Sequence, residues 1–319
     1  MQYRILGRTG VRVSEVGFGA WAIGGPSKLG DIEIGWGEVD DAMSLRAIEA
    51  AYEAGVTFFD TADVYGAGRS EVLIGKALKS KRDRVVIATK VGNRTSADGK
   101  WVKDFSKEWI TEAIDGSLKR LGMDYVDLYQ LHSGTDTAQY RDETFEALEG
   151  LKAAGKIRFY GISVGPCAHG PWAIRNTPAD TIQVIYSMLE REPEAELLPL
   201  AQARGIGIIA RVPLASGFLS GKFTPDTRFA ANDHRSRTYP PEKIRKMVGQ
   251  IAKLDFLTKG KGKTMAQAAL QYCLSHPALS AVIPGAKAPE QARANAAASD
   301  GILLTADEVA RARDLLAQG

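Results

Sequence analysis

The stretch "RVVIATK", Arg84–Lys90, runs through four successive apolar residues before it stops at Thr89 and Lys90. A half-exposed strand would alternate apolar and polar residues, so an unbroken run implies a strand buried on both faces. Downstream, Lys107–Leu121 carries a helical pattern, and "VDLYQLH", Val126–His132, repeats the apolar form and again ends on an ionisable residue. Outward from this strand–helix–strand unit, the same form recurs in "EVGFGA" (Glu15–Ala20), "VTFFDTA" (Val56–Ala62), "RFYGIS" (Arg158–Ser163), "TIQVIYS" (Thr181–Ser187), "GIGIIAR" (Gly205–Arg211) and "SAVIPG" (Ser280–Gly285). Helical patterns separate the runs at Ala42–Ala54, Ser70–Lys79, Asp142–Ala154, Pro171–Asn176, Glu194–Arg204, Met265–Ser275 and Pro289–Ala298. In the first of these, Leu45, Ile48, Ala51 and Tyr52 recur at helical spacing and Gly55 stops the helix.

Doubly buried strands joined by helices form a parallel sheet, and eight such units in 319 residues predict a closed α/β barrel, (β/α)8, of the TIM type. An open doubly wound sheet would need G-x-G-x-x-G after its first strand, opening a helix. "GFGAWAIGG" supplies Gly17 and Gly19 but has Ala22 at the third position, and no helix is predicted after it. Before the barrel, "YRILGRTGVRVS" reads as an N-terminal β-hairpin turning at Gly7–Gly10. The longest insertions, Trp21–Asp41, Val91–Ser106 and Val212–Thr264, all follow strand C-terminal ends, the functional face of such a barrel. With no Pro/Ser/Gly-rich linker, the chain 1–319 reads as one domain.

Composition excludes several classes. Forty-one basic against 38 acidic residues give a net charge of +3, too balanced for a nucleic-acid or membrane-surface partner. The basic run "KGKGK", Lys259–Lys263, has no interleaved aromatics and reads as a solvated loop. Cys167 and Cys273 are too few for a disulfide framework and fit a reducing compartment. The N-terminus lacks the apolar core of a signal peptide, so a cytoplasmic location is expected. The four histidines, His132, His169, His234 and His276, show no ligand spacing, which weakens a metal-dependent hydrolase and predicts no metal site.

Strand ends in a barrel converge at its mouth. Asp60, Lys90 and His132 end the second, third and fourth strands, and Tyr65 lies just beyond Asp60 in "FFDTADVYG". A tyrosine titrates near pH 10 and needs help to exchange a proton at neutral pH. The Lys90 ammonium would favour the charged form, Asp60 would hold the lysine, and His132 would donate to a substrate oxygen. This set suits protonation of a carbonyl oxygen as hydride from a nicotinamide cofactor reaches its carbon.

These residues and their surroundings are recognisable. "GFGAW", "FFDTADVYG", "IATKVG", "LYQLH", "GIS", "IQVIYS", "PLASGFLSGKF" and "VIPGAK", in this order, resemble the aldo-keto reductase superfamily over nearly the whole chain. Trp21 and "GWGEVDD" look like its bacterial branch of inositol-catabolism and general-stress reductases. The resemblance implies a catalytic tetrad of Asp60, Tyr65, Lys90 and His132, with Tyr65 as general acid in reduction and base in oxidation. It implies that Ser163 and Gln183 hold the nicotinamide amide, and that Leu214, Ser216, Gly217 and Lys222 line the pyrophosphate. It also places the adenosine end on Gly285, Lys287, Gln291 and Asn295. Lys287 beside the 2′ position favours NADPH/NADP+, with NADH as the alternative, since a lysine lacks the bidentate geometry of arginine. The substrate is then a small-molecule carbonyl or alcohol, sugar-like compounds included, and no oligomeric state follows.

Two departures stand out. Val164 replaces the asparagine that many members carry after the serine of "GIS", and Arg211 stands where many stack an aromatic ring on the nicotinamide. Arg211 is expected to lie against the nicotinamide or the pocket, where its planar guanidinium can stack. Among the tryptophans Trp21, Trp36, Trp101 and Trp172, Trp21 is the expected pocket residue. Because the superfamily includes channel-associated β subunits, a regulatory subunit that binds cofactor and turns over slowly is the alternative function. "YPPEK" (Tyr239–Lys243) imitates a Tyr-x-x-x-Lys pair, but its prolines oppose the helix such a pair needs.

Overall fold

Strands form where the apolar runs predict them, and the register between them closes a barrel. The computed structural model describes residues 1–317. Eight parallel strands follow one another around the sheet: Phe18–Gly19, Phe58–Asp60, Val86–Val91, Val126–His132, Ile157–Ser163, Thr181–Ile185, Gly207–Arg211 and Leu279–Val282. The first and last meet through parallel bridges, Val16 with Val282 and Gly19 with Gly285, which leaves no free sheet edge. "EVGFGA" is thus a shorter regular strand than predicted, extended by isolated bridges.

Inside the barrel the strands alternate after all. Phe58, Val86, Ala88, Leu128, Ile209 and Ala281 form an apolar interior cluster with Leu6 and Val13 from the hairpin Tyr3–Ile5/Arg12–Ser14. The hairpin plugs the base of the barrel, with Arg8 N–H donating to Gly205 O at 2.6 Å. At the inward positions nearer the strand C-termini the residues change to Asp60, Lys90, Gln130 and Gln183, all buried. The outward faces pack under the helices in a second, larger apolar core.

Helix ends follow local chemistry. Asp40 Oδ1 accepts from Met43 N–H at the start of Asp41–Glu53, and Ser106 caps Lys107–Leu121, which stops at Gly122 with φ 63°. Helices at Arg69–Leu78, Asp142–Ala153, His169–Asn176, Leu197–Arg204, Met265–Leu274 and Pro289–Ala296 agree with the sequence patterns to within three residues at each end. Four helices were not predicted: single turns at Trp21–Gly24 and Arg235–Thr238, Pro241–Ala252 inside the long insertion after the seventh strand, and the C-terminal Ala306–Ala317. Trp21–Gly24 corrects the expectation that no helix follows "GFGAWAIGG"; one turn is below what residue periodicity can register. Pro241 opens its helix and leaves Tyr239 outside it. Two of the insertions contain small hairpins, Ser27–Leu29 with Ile32–Ile34 and Asn93–Thr95 with Trp101–Lys103, which touch each other where Gly30 N–H donates to Thr95 Oγ1.

Candidate active site

Four of the predicted residues meet at the mouth of the barrel. Lys90 is fully buried, and its ammonium donates to Asp60 Oδ1 at 2.5 Å, Thr61 O at 2.8 Å and Tyr65 Oη at 3.0 Å. An ammonium has three N–H groups, and each one has an acceptor here. Burial by itself would pull Lys90 down, but Asp60 and Tyr65 outweigh it and raise the group above its ordinary value, so Lys90 stays charged.

Asp60 is likewise saturated. Its second oxygen accepts from Gln130 Nε2 at 2.9 Å and Gln183 Nε2 at 2.8 Å, and Gln183 Nε2 also reaches Gln130 Oε1 at 3.1 Å. Ser163 Oγ donates weakly to Gln183 Oε1 at 3.5 Å. Strand register brings these groups together, setting Gln130 beside Lys90, and Ser163 beside both His132 and Gln183.

Tyr65 sits on the loop after the second strand, held by a close backbone approach. Gly66 has φ 62°, and a Cβ there would lie 2.0 Å from Gly24 O, so the turn Trp21–Gly24 packs directly on the tyrosine loop. The Trp21 and Tyr65 rings meet edge-on at 4.8 Å, and Tyr65 and His132 at 5.8 Å. Tyr65 titrates above its ordinary value: burial raises it, and the opposing pull of Lys90 does not compensate. This corrects the expectation that Lys90 would make the phenolate the favoured form. Tyr65 rests as a neutral phenol, the form that gives a proton.

His132 lines the cavity, and its Nδ1 is buried without a hydrogen-bond partner. Burial, then Lys90, Lys103 and Arg211, hold it well below the ordinary histidine value, so it is neutral at neutral pH. The unfolded chain takes up a proton at this residue on acidification through about pH 6.5, and the folded one does not. Stability is therefore expected to fall as pH drops from about 7 to about 5, by up to ~1.4 kcal/mol per pH unit from this residue. Urea unfolding of wild type and His132→Gln across that range checks it. Parallel pH slopes would mean that His132 does not fold in neutral.

A cavity of about 350 Å³ opens above these groups. It extends from Asp60, Tyr65 and His132 past Gln183 and Arg211 to Leu214, Ser216, Gly217 and Gly285. Trp21, Trp36 and His234 form its opposite wall. The segment after the seventh strand bends sharply, with positive φ at Val212 (56°), Ala215 (47°), Ser216 (57°) and Gly217 (96°). Left-handed backbone is costly for non-glycine residues, and such turns gather N–H groups into concavities that receive anions. Ser216 Oγ accepts from Tyr239 Oη at 2.9 Å, and Ser216 O accepts from Arg235. Across the cavity, Arg211 Nη2 donates to Val164 O at 3.1 Å while its Nε is buried without a partner.

The remaining predicted residues lie farther out. Lys287 Nζ donates to Trp36 O at 2.5 Å and Glu38 O at 3.5 Å, and burial followed by the nearby Arg235 lowers it from its ordinary value. Gln291 Oε1 accepts from Lys287 N–H, and Asn295 Nδ2 donates to Gly285 O. Lys222 is exposed and is not among the cavity-lining residues. Trp101 is 40% exposed on its hairpin and Trp172 stacks on Tyr140 at 6.1 Å, so neither lines the cavity.

Sequence reasoning missed Gln130, although it stands two residues before His132 on one strand and therefore on the same face. Trp36, weighed with Trp21 among the pocket tryptophans, does line the cavity, whereas His234 and Arg235 gave no comparable signal. Trp36 bridges to Asp233 and stacks on His234 at 6.3 Å, pairings between loops nearly two hundred residues apart. Among the described residues, no group of three His, Cys, Asp or Glu side chains is placed to hold a metal ion, and no helix is long and apolar enough to cross a membrane.

A closed barrel with a tyrosine, a lysine–aspartate pair and a histidine at its mouth is the architecture of a barrel oxidoreductase. Residues 15–317 match the Aldo/keto reductase family, and the chain belongs to that family. It is 35% identical over 302 residues to aldo-keto reductase YhdN of Bacillus subtilis (strain 168), covering 92% of this chain and 87% of that one. It is 34% identical over 316 residues to the NADH-specific methylglyoxal reductase of Escherichia coli (strain K12), covering 95% and 94%. A "Probable voltage-gated potassium channel subunit beta" of Oryza sativa subsp. japonica is also 34% identical, over 330 residues, covering 97% and 94%. Among solved structures, the glycerol dehydrogenase AKR11B4 from Gluconobacter oxydans superposes with TM-score 0.83 at 30% identity, covering 97% and 93%. An aldo/keto reductase from Klebsiella pneumoniae in complex with NADP and acetate superposes with TM-score 0.76 at 28% identity, covering 99% and 96%.

Proposed function

We propose that the chain, acting as one unit, is an NADPH-dependent reductase that interconverts an aldehyde or ketone with its alcohol, with Tyr65 as general acid and base. The observation that carries this is the Lys90 ammonium, its three N–H groups shared among Asp60, Thr61 O and Tyr65 Oη at the floor of the cavity. A nicotinamide held in this cavity would supply hydride to the carbonyl carbon. Tyr65 gives its phenolic proton to the carbonyl oxygen, and the phenolate left behind is stabilised by Lys90, which Asp60 holds in place. Neutral His132 donates a hydrogen bond to the same oxygen without competing as an acid. In the oxidative direction the phenolate takes the alcohol proton back.

The cavity fits an elongated dinucleotide by the chemistry of its donors. Gln183 offers an amide near Tyr65, and Arg211 offers a planar cation with an unpartnered N–H. The left-handed turn at Val212–Gly217 is shaped to receive a pyrophosphate, with Leu214, Ser216 and Gly217 as contacts. Gly285, Lys287, Gln291 and Asn295 sit beyond it for the adenosine end. Ser163 supports Gln183, Trp21 shapes the wall beside the nicotinamide, and Lys222 would have to swing in from the surface.

Lys287 must exchange its contacts with two loop carbonyls for the 2′-phosphate. Lys287→Ala is therefore expected to raise the NADPH Kd about 10- to 100-fold, the scale of a charge-assisted hydrogen bond, with little change for NADH. Titration of cofactor fluorescence measures both. Equal effects on the two cofactors would remove Lys287 from 2′ recognition.

Oxidation of NADPH in the presence of a panel of carbonyl compounds tests the whole reading. The likeness to a channel subunit favours the second reading, a cofactor-binding regulatory subunit. That reading predicts tight cofactor binding with negligible turnover across the panel.

A further inference from the structure

Two cations lie at the strand ends around the cavity: Arg211 lines it, and Lys103, not itself a lining residue, is tied to the backbone of the lining residue His132. Lys103 ends the hairpin Asn93–Thr95/Trp101–Lys103, and its ammonium donates to Asn93 Oδ1 at 2.5 Å and to the backbone oxygen of His132 at 2.9 Å. These are two acceptors for three N–H groups, and neither acceptor carries a formal charge. Arg211 donates to the Val164 carbonyl, one residue beyond the Ser163 that pairs with His132 on the neighbouring strand, and keeps a buried, unpartnered Nε. Neither residue forms an ion pair among the described residues, whereas buried or half-buried Arg4, Arg82, Lys90 and Arg235 all do.

The electrostatics of the mouth are correspondingly one-sided. Lys103 is pulled down to about 8 by burial and then by the Arg211 guanidinium, a sign that the two positive charges feel each other. Asp63, the carboxyl that acts against this, is itself raised well above the carboxylate range by burial and by Glu71, so its compensating charge is weak. Half-buried cations that repel each other and lack counter-ions are stabilised when an anion arrives between them. Both cations act on His132, whose ring lines the cavity with Tyr65 and whose backbone oxygen Lys103 holds.

We infer that Lys103 and Arg211 form an anion subsite next to the carbonyl-binding point, so that the preferred substrates are carbonyl compounds carrying a carboxylate. This rests on the reductase reading above. Lys103 is the specificity-determining residue, since the proposed function also sets Arg211 against the cofactor. In the purely structural alternative, Lys103 only ties its hairpin to the fourth barrel strand, and substrate charge makes no difference.

The experiment compares kcat/KM, with NADPH, for matched acid and neutral aldehydes: 4-oxobutanoate against butanal, and 4-carboxybenzaldehyde against benzaldehyde. The acid is expected to lead by about tenfold or more in at least one pair, the scale of one charge-assisted contact. That ratio is expected to shrink with added salt, to fall about tenfold in Lys103→Met, and to recover in Lys103→Arg. Neutral aldehydes preferred in both pairs by the wild-type enzyme would overturn the inference, with no variant required. So would an acid preference that Lys103→Met leaves intact. Turnover of the neutral aldehydes alone would leave the reductase reading standing while this one falls. No turnover of any of the four would remove both.

Discussion

Tyr65→Phe is expected to lower turnover about 10²- to 10⁴-fold while cofactor binding survives. The substitution deletes one oxygen and keeps the ring that packs edge-on against Trp21 and His132. Lys90 keeps its two other acceptors, Asp60 and Thr61 O, so the charged pair beneath stays satisfied and the fold is not the casualty. Single-turnover reduction of an aldehyde, alongside cofactor titration, separates the proton-transfer defect from any binding defect. Turnover indistinguishable from wild type would remove Tyr65 as the proton donor.

Lys90→Met is the second large effect, and it strikes both function and fold. It removes the cation that stabilises the Tyr65 phenolate, and it leaves the Asp60 carboxylate buried with only the two amide donors Gln130 and Gln183. Breaking a buried pair by removing one partner costs about 3–5 kcal/mol, because the remaining charge is uncompensated. Urea denaturation is expected to show that loss, and the activity assay to show turnover at background. Adding Asp60→Asn to Lys90→Met is expected to restore most of the stability and none of the turnover. If the single variant were as stable as wild type, the charges would not be coupled as the geometry implies.

The βα repetition was legible in the chain because doubly buried parallel strands leave unbroken apolar runs and helices leave a 3.6-residue period. Lys90 and His132 were legible for a related reason: each ends a strand, and strand ends in a closed barrel converge. Gln130 was within reach of the same logic, one inward step before His132, but a polar residue inside an apolar run gave no reason to look there. The helix Pro241–Ala252 escaped because it lies in an insertion that serves the mouth and not the repeating unit.

The wall of the cavity was legible only in its tryptophans, and how they meet their neighbours was not. Trp36, His234 and Arg235 come from two insertions whose backbone is irregular, and they meet through a bridge between Trp36 and Asp233 and a contact from His234 to Gly35 O. Side-chain direction in such segments depends on what they pack against, not on a local period. Lys287 shows the same limit, since its tie to the Trp36 carbonyl joins opposite ends of the chain.

By itself, then, the sequence determined the barrel and the identity of the four groups at its mouth, because strand periodicity locates the strand ends that carry Asp60, Lys90 and His132, and Tyr65 follows Asp60 by five residues on the loop. Only the tertiary structure decided their state. Burial outweighs Lys90 and keeps Tyr65 a neutral phenol, it holds His132 neutral, and together with the Arg211 charge it pulls Lys103 down to about 8. Desolvation depends on what surrounds a group in three dimensions, and that is set by contacts far apart in the chain.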